Sequence, residues 1–358
     1  MKKKLIVLLV VLSVVLAACG GPAAPAPATP APSGSGAAEN QPEATEGSWQ
    51  PAGNVTALVG QAVGGGLDTL KRMLIPGLQE ELGANIVPQN MPGANASIAA
   101  ASMMSNPPDG NTIFVWSSGS MTFPASALSD YDYRDIRMLA IAQATNPVIC
   151  VPIDSPFTTV EEWIEAVRGG ETTASNSGLG GLYHIPQLVI VNAIGGTATY
   201  IAYDGGRPAV TAAAQGEVDW SISDIGEALP LIEDGLVRAL AIHALEDVYL
   251  EGIGTVPSIL HWLPELEEII PHTRGFRGVG IRRDTPEHIA QAWIEALRVV
   301  VNSPEVVDGT TAMGITPVAI FGDDADRMTE ETTYLVSWLL YDMGYAQRSP
   351  AEVGLERR

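Results

Sequence analysis

Short apolar runs alternate with amphipathic stretches along most of the chain from residue 54 onward. Runs rich in β-branched residues predict strands at 54–60, 86–88 and 112–116. Apolar positions at helical spacing predict helices at 68–82, 95–105 and 325–342. The clearest helix follows Pro286, where one apolar stripe consists of Ile289, Ala292, Trp293, Ala296, Leu297 and Val300. This alternation predicts an α/β fold with parallel sheets and right-handed crossovers.

Local signals place the starts of two further helices. Two overlapping motifs of the form T-x-x-E, at 158–161 and 159–162, are candidate capping boxes for a helix that stops at Gly169. Pro208 stands where a first helical residue is expected, because its missing N–H and fixed φ are tolerated there. Both helices fit the same α/β pattern.

The first residues resemble an export signal. Lysines 2–4 precede 14 uncharged apolar residues, Leu5 to Ala18, which are too few to span a bilayer as a helix. The run ends in Leu16-Ala17-Ala18-Cys19, which resembles the lipobox of bacterial lipoproteins, in which the cysteine is acylated. We therefore predict a signal peptide at 1–18 and a membrane anchor through lipid on Cys19. An ordinary secreted protein is the alternative.

The composition of the remaining chain limits its function. Residues 19–50 are rich in Ala and Pro and predict an extended tether. The net charge is −22, and loss of the three lysines in 1–18 would make it −25. This acid excess argues against nucleic-acid binding, which needs a basic surface. The five histidines show no i, i+4 pair, so we expect no multi-histidine metal site. We also expect no cofactor. Cys150 lies in an apolar run and is predicted to be buried, with a reactive thiol as the alternative.

Three glycine-rich segments each lead into a predicted helix. They are 64–68 (GGGLD), 175–184 (SNSGLGGLYH) and 203–208 (YDGGRP). Backbone N–H groups at the start of a helix can hold an anion, and ligands of open α/β sheets bind where strands end. The first segment is neither a P-loop nor G-x-G-x-x-G, and alone it is equally compatible with a tight turn. Together, the three segments indicate a ligand site.

Nine short motifs follow one another in a characteristic order. They are GGGLD at 64, NMPGAN at 90, PPDG at 107, SSG at 117, the segment 175–184, YDG at 203, GEVD at 216, VP at 256 and RG at 277. In this order and spacing, the chain resembles the substrate-binding proteins of the tripartite tricarboxylate transporter family, of the Bug or TctC type. The resemblance covers about residues 54–345.

This resemblance implies a two-lobed, type II periplasmic-binding-protein fold with a small carboxylate bound in the cleft between the lobes. We predict lobe 1 at 51–148 plus 272–346, lobe 2 at 149–271 and a C-terminal tail at 347–358. The sequence itself adds Arg207, whose guanidinium fork suits a carboxylate. The ligand contacts that the resemblance implies come from Gly64, Gly65, Gly66, Asp68, Ser117, Ser118, Gly119, Ser175, Ser177, Gly180, His184 and Tyr203.

Several of these residues also have simpler interpretations. His184 would orient the helix that follows its loop, and Asp68 would cap a helix. Arg207 would pair with Asp204 in solvent, an interaction of little energetic weight. Tyr203 suits the core as well as the cleft.

The resemblance implies a non-enzymatic function outside the cytoplasm. We predict a monomeric solute-binding lipoprotein that captures a di- or tricarboxylate or related acid and delivers it to a membrane permease of the tripartite tricarboxylate type. A sensor or scavenging lipoprotein on the same fold is the alternative. A hydrolase is a third possibility, because Ser177, His184 and Asp219 provide the side chains of a Ser–His–Asp set.

Overall fold

Two β-sheets with helices packed against them form the body of the protein. The computed structural model describes residues 49–122, 126–127, 129 and 131–358. The predicted signal peptide at 1–18, Cys19 and the tether as far as residue 48 lie outside the described residues. Within the described part, no helix combines the length and the apolar character needed to cross a bilayer.

The strands belong to two large sheets and one small hairpin. The first sheet has the order β13-β4-β12-β3-β1-β2, the second has the order β7-β6-β8-β5-β9, and β10 pairs with β11. We call the half built on the first sheet the first lobe and the half built on the second sheet the second lobe. The strands are β1 (Val55–Val59), β2 (Ile86–Asn90), β3 (Thr112–Ser117), β4 (Ile136–Ala144), β5 (Pro147–Pro152), β6 (Thr172–Asn176), β7 (Ala198–Ala202), β8 (Trp220–Asp224), β9 (Val237–Ile242), β10 (Val248–Leu250), β11 (Gly254–Val256), β12 (Phe276–Arg282) and β13 (Thr316–Phe321).

Helices connect the strands and cover the sheets. Short 3₁₀ turns supplement them, among them Ala94–Ala96 and Ser118–Thr122. The α-helices of the described residues are α1 (Gly66–Leu82), α2 (Ser97–Ser105), α3 (Val160–Gly169), α4 (His184–Ile194), α5 (Gly206–Ala214), α6 (Ile225–Glu233), α7 (Ile270–Thr273), α8 (Glu287–Val301), α9 (Pro304–Ala312) and α10 (Asp323–Asp342). The predicted α/β class is confirmed.

Strand direction is where the sequence prediction was wrong in part. β1 runs parallel to β2 and β3, and β6 runs parallel to β7 and β8, as the crossover helices require. However, β12 is antiparallel to β3 and β4, and β5 is antiparallel to β8 and β9. These strands adjoin the segments that cross between lobes, so they enter their sheets from the opposite end. Both sheets are therefore mixed.

Most helix boundaries follow the local signals. The capping box at Thr159 is formed, although α3 includes Gly169 and ends at the left-handed Gly170. Helix α5 begins at Gly206, so Pro208 is its third residue and not its first. The predicted stripe of α8 packs into the first lobe's core, which includes Ile289, Trp293, Ala296, Leu297 and Val300. Cys150 is buried as expected, and burial raises the pKa of its thiol to about 12.

Two chain crossings between the lobes lie side by side. The Thr145 N–H donates to the Gly275 carbonyl (2.9 Å), and Arg274 Nε donates to the Thr145 carbonyl (3.1 Å). Arg274 Nη2 also donates to Asn146 Oδ1 (3.0 Å). This hydrogen-bonded pair of crossings is the geometry of a hinge, because few backbone segments must bend when the lobes move.

The last helix, α10, belongs to both lobes. Near its start, Ala325 packs in a core cluster of the first lobe. Near its end, Val336 and Leu340 pack against Ile185 and Leu188 of α4 in the second lobe. Helix α10 therefore joins the lobes independently of the two crossings.

Candidate ligand-binding cleft

A small cavity of about 100 Å³ lies between the two lobes. The first lobe contributes the start of α1 and Arg277 of β12, and the second contributes Arg207 and the start of α6. Of the predicted site residues, Gly64, Gly66 and Arg207 line this cavity. The full lining is Gly64, Gly66, Thr69, Arg207, Asp224, Gly226, Glu227, Arg277, Met313 and Ile315.

The first glycine loop is held in shape by hydrogen bonds within the loop. Gly64 has a φ of +84°, which a residue with a side chain would adopt only under strain. Its N–H donates to Asp68 Oδ2 (2.9 Å), and the Leu67 N–H donates to Gln61 Oε1 (2.9 Å). Gly65 precedes α1 and offers no side-chain cap. Because residues 64–66 are all glycine, none of them places a side chain of its own between the start of α1 and the cavity.

Asp68 fixes the conformation of this loop through hydrogen bonds to its buried carboxylate. Its carboxylate is fully buried and accepts hydrogen bonds from Gly64, Lys71 Nζ (2.6 Å), Arg72 Nε (2.9 Å) and Asn90 Nδ2 (3.0 Å). Burial alone would raise its pKa, but these hydrogen bonds outweigh burial and hold the pKa well below its usual range. Asp68 is the third residue of α1, so the expectation of an N-cap was wrong.

A buried ion pair crosses the cleft from one lobe to the other. Arg277 Nη2 donates to Asp224 Oδ2 (2.7 Å) and to the Tyr183 hydroxyl (2.5 Å), and both charged side chains are 1% exposed. The Tyr183 hydroxyl in turn donates to Asp224 Oδ2 (3.0 Å). Arg277 Nη1 lies a long 3.4 Å from Gln143 Oε1. The other Asp224 oxygen, Oδ1, accepts from the Gly226 N–H (3.0 Å) and caps α6.

A second carboxyl group, that of Glu227, lies beside this pair. Glu227 is 6% exposed, and its buried Oε2 has no hydrogen-bond partner. Burial, helped by the nearby charge of Asp224, raises its pKa from 4.5 to about 7 against the opposing charges of Arg277 and Arg207. Burial would lower the pKa of Arg277, but Tyr183, Asp224 and Glu227 outweigh it and raise that pKa. The cleft thus contains two cations, one carboxylate and one carboxyl group that titrates near neutrality.

The second glycine-rich loop is organised mainly by internal contacts. Ser175 is buried, and its hydroxyl donates to the Ala209 carbonyl (2.7 Å), which joins β6 to α5. The Gly180 N–H donates to Nδ1 of the buried His184 (2.8 Å). Burial lowers the pKa of His184 to about 4, so the imidazole is neutral with its proton on Nε2. His184 therefore orients its loop and helix, as its simpler interpretation expected.

The two lobes touch at the rim of the cleft. Gly119 lies so close to Leu182 that a Cβ at Gly119 would fall 2.5 Å from the Leu182 nitrogen. Thr122 Oγ1 donates across the cleft to the Gly180 carbonyl (3.2 Å). Asn95 Nδ2 donates to the Gly119 carbonyl (2.9 Å) and supports this contact from the first lobe. The structure is therefore closed at this edge.

The serines of the two lobes lie near the cleft but outside the cavity lining. Ser117 and Ser118 are buried where β3 ends, and Ser118 Oγ accepts from the Phe276 N–H (3.1 Å). Ser177 follows β6 and is half-buried. Their contact with a ligand stays a prediction.

Tyr203 bonds to a residue of its own lobe, whereas Arg207 lines the cavity. The half-buried Tyr203 donates its hydroxyl to Glu217 (2.9 Å) of the same lobe. Arg207 is exposed and lines the cavity. The ion pairs of the described residues do not include the pair of Arg207 with Asp204 that the simpler interpretation expected. Arg207 thus remains a candidate for contact with an anion.

The three side chains of the hydrolase alternative do not assemble. His184 Nδ1 accepts the Gly180 N–H and its buried Nε2 has no partner, so the imidazole bonds neither to a serine nor to a carboxylate as a Ser–His–Asp set requires. Asp219 Oδ2 instead accepts from the N–H and the hydroxyl of Thr173, both at 2.7 Å. Among the residues described, no three His, Cys, Asp or Glu side chains are grouped for metal binding.

A larger cavity, of about 470 Å³, lies beside the hinge. None of the predicted ligand residues lines it. Its walls are the crossing residues Asn146 and Arg274, the segment 244–249, Thr311 and the segment 314–317. We therefore place the candidate site in the smaller cavity between the lobes.

Sequence reasoning missed the charged side chains that dominate the cleft. Arg277 entered only as part of the motif RG, and Asp224, Glu227 and Tyr183 were not among the predicted site residues. A signal was present, because a lone arginine within the apolar strand FRGVGI needs a buried partner. The partner itself, Asp224, lies 53 residues away in the other lobe, and no local pattern marks it.

Comparison with known proteins identifies the family. The model of the tripartite tricarboxylate transporter family receptor, TctC, matches residues 70–343. The chain belongs to this family. The resemblance deduced from the nine motifs is thereby confirmed, and TctC is described as a receptor family and not as an enzyme family.

Individual TctC relatives are distant but extensive. A UPF0065 protein of Agrobacterium vitis is 24% identical over 274 residues, which are 75% of this chain and 77% of that protein. A Rhodopseudomonas palustris protein solved with adipate superposes with a TM-score of 0.74 and 24% identity, over 83% of this chain and 99% of that one. MatC of R. palustris, solved with malate, gives a TM-score of 0.69 and 22% identity, over 82% and 99%. These likenesses establish the two-lobed binding-protein fold.

Proposed function

We propose that this protein is an extracytoplasmic solute receptor that binds a small organic carboxylate between its lobes. It then delivers the carboxylate to a permease of the tripartite tricarboxylate type. The observation that carries the proposal is the inter-lobe cavity, which combines the glycine-lined start of α1 with two arginines. Membership of the receptor family supports it, and so do two relatives of the same fold solved with malate and adipate.

The proposal includes the division into lobes. We place lobe 1 at 51–148 plus 272–346 and lobe 2 at 149–271. The separate sheets support this division, although β5 already begins at Pro147 and the end of α10 packs on the second lobe. The lobes would close on the ligand as a hinge at the two crossings.

A carboxylate panel tests ligand binding. The full-length protein is titrated calorimetrically with malate, adipate, citrate and succinate, and its melting is followed with and without each acid. A ligand at 100 times its Kd should stabilise the protein by about 2.7 kcal/mol. If neutral amides bind but none of these acids does, the ligand class is wrong.

Delivery to a permease is tested separately from binding. Cells that carry the permease genes should take up the bound acid only when this protein is also present. A ligand-dependent change in gene expression without uptake would instead identify the sensor that we named as the alternative.

Anchoring is tested at the two cysteines. We propose that Cys19 carries lipid, so Cys19→Ser should release the protein from membrane fractions or leave an uncleaved precursor. The matched control is Cys150→Ser, which changes a buried thiol within β5 and should leave the protein in the membrane fraction. A wild-type protein that is fully soluble after fractionation contradicts the anchor.

A further inference from the structure

The guanidinium of Arg277 is buried with hydrogen-bonding capacity left over. Its Nη2 makes both short contacts, to Asp224 and Tyr183, whereas its Nε is buried with no partner. The contact of Nη1 with Gln143, at 3.4 Å, is long for a hydrogen bond. A buried arginine usually satisfies all its donors, because each unpaired donor costs free energy. The guanidinium of Arg277 therefore has N–H donors free for a further partner.

Asp224 fills that position only partly. It reaches Arg277 through one oxygen, while its other oxygen is committed to the cap of α6. A free carboxylate has no such commitment and can accept two parallel N–H bonds from an arginine, the stronger arrangement. The protein's own carboxylate is thus a weaker partner than an unattached one.

The pair also lies where lobe movement would separate it. Arg277 belongs to β12 of the first lobe, and Asp224 ends β8 of the second. The cavity beside them, at about 100 Å³, is far below the roughly 300–1,000 Å³ of ordinary ligand pockets. The lobes must therefore part to admit a ligand larger than a single carboxyl group, which withdraws Asp224 and exposes the guanidinium before the lobes close over the ligand.

The backbone of the first glycine loop completes the surroundings. Gly66 packs directly on the guanidinium, where a Cβ would overlap it. The same glycine is the first residue of α1, so the positive end of that helix's dipole lies next to Arg277, although the Leu67 N–H is already paired with Gln61. An anion at this point would be held by a full positive charge and by the helix start together.

We propose that Arg277 anchors a carboxylate group of the ligand, and that Asp224 occupies the same guanidinium in the ligand-free protein. Ligand and Asp224 then compete for Arg277, and binding is an exchange of partners. This inference rests on the proposed function and adds the residue that selects for a carboxylate. Because a ligand must displace Asp224, binding includes the free-energy cost of breaking the Arg277–Asp224 pair, and only a carboxylate that bonds well to Arg277 offsets this cost.

Two variants of the full-length protein test the exchange. Asp224→Asn removes the competing charge and keeps the helix cap, since Asn caps as well as Asp. The double variant Asp224→Asn with Arg277→Gln removes both charges, so no unpaired charge is left buried to unfold the protein. Asp219→Asn on the approach to β8 and Arg282→Gln at the end of β12 are matched controls outside the cavity. Malate and adipate are the calorimetric probes, and circular dichroism checks that each variant is folded.

Competition predicts opposite changes in the two variants. Asp224→Asn should bind the probe about tenfold more tightly than wild type, and the double variant should bind it at least 100-fold more weakly than Asp224→Asn. Both controls should match wild type. A folded double variant that binds as tightly as Asp224→Asn overturns the role of Arg277 but leaves the proposed function standing. Failure of every protein, wild type included, to bind either acid overturns both.

Discussion

The contact between Gly119 and Leu182 makes lobe closure testable by one methyl group. In Gly119→Ala, the new Cβ would lie 2.5 Å from the Leu182 nitrogen and 2.8 Å from its Cα. Carbon atoms in contact prefer about 3.5–4.0 Å, so the two surfaces must separate by about 1 Å. The obstructing atoms are backbone atoms, which cannot rotate away as the end of a flexible side chain would. The clash therefore acts on the distance between the lobes.

The expected loss of affinity follows from the cost of overpacking. Forcing one extra methyl group into a tight contact costs about 1–3 kcal/mol, which corresponds to roughly 5- to 150-fold weaker binding. The ligand-free protein can avoid the clash by opening at the cost of the Arg277–Asp224 contact, so its unfolding free energy should fall by less than the binding free energy does. Gly119 has no positive φ, so alanine introduces no backbone strain of its own.

The assay is calorimetric titration with the carboxylate that binds the wild-type protein. Gly169→Ala is the matched control, because a Cβ at this exposed last residue of α3 meets nothing within 4 Å. Wild-type affinity in Gly119→Ala would refute the reasoning, since binding would then not require this closed contact. An equal fall in the stability of the ligand-free protein would also refute it, because the clash would then act inside one rigid body.

Three further variants test individual side chains. The pKa of Glu227 is raised from 4.5 to about 7, so the folded protein favours the protonated carboxyl group. The contribution of this group to the stability of the fold is fully present below pH 4.5 and is lost as pH rises through 7. Wild-type stability from melting curves should fall by up to about 3 kcal/mol across this range, and Glu227→Gln should remove that fall. Asp68→Asn leaves Lys71 without its buried partner and should cost about 3 kcal/mol of unfolding free energy in urea titrations. Arg207→Ala should weaken carboxylate binding by about 1.5–3 kcal/mol in calorimetry, with little change in melting temperature.

Each of these variants has a distinct contradicting result. A pH profile of Glu227→Gln that parallels wild type would show that another group titrates. The control for Asp68 is Asp342→Asn, whose exposed pair with Arg357 should contribute no more than about 1 kcal/mol, and equal losses would contradict the buried role. Unchanged affinity in Arg207→Ala would make that arginine a surface charge.

The parts of the fold that local patterns specify could be predicted from the sequence. The apolar residues of α8 fall on one face of the helix, so both the helix and the burial of that face were predictable. The capping box at Thr159 was predictable because its two partners are three residues apart. The direction of β5 and β12 was not, since it depends on how the chain passes between lobes.

The candidate site shows the same limit. The motif order correctly placed the first glycine loop at the cavity. Gly64 and Gly66 were predictable because glycine is the residue that lets the backbone approach a ligand closely, which is a local property of the sequence. Asp68 was predicted to face a ligand, but one of its four hydrogen-bond donors is Asn90, which lies 22 residues away at the end of β2. The pairing of Arg277 with Asp224 arises only when the two lobes meet, so no window of sequence contains it.

The shared helix α10 has a consequence for the order in which the protein matures. The sheet of the second lobe, residues 147–242, is complete long before α10 has been synthesised. Until Val336 and Leu340 arrive, Ile185 and Leu188 of α4 have no cover from that helix. This apolar surface of α4 therefore stays exposed, and accessible to chaperones, until translation is almost complete. For a protein that we propose to be exported, this delay favours passage through the membrane before the native packing is locked.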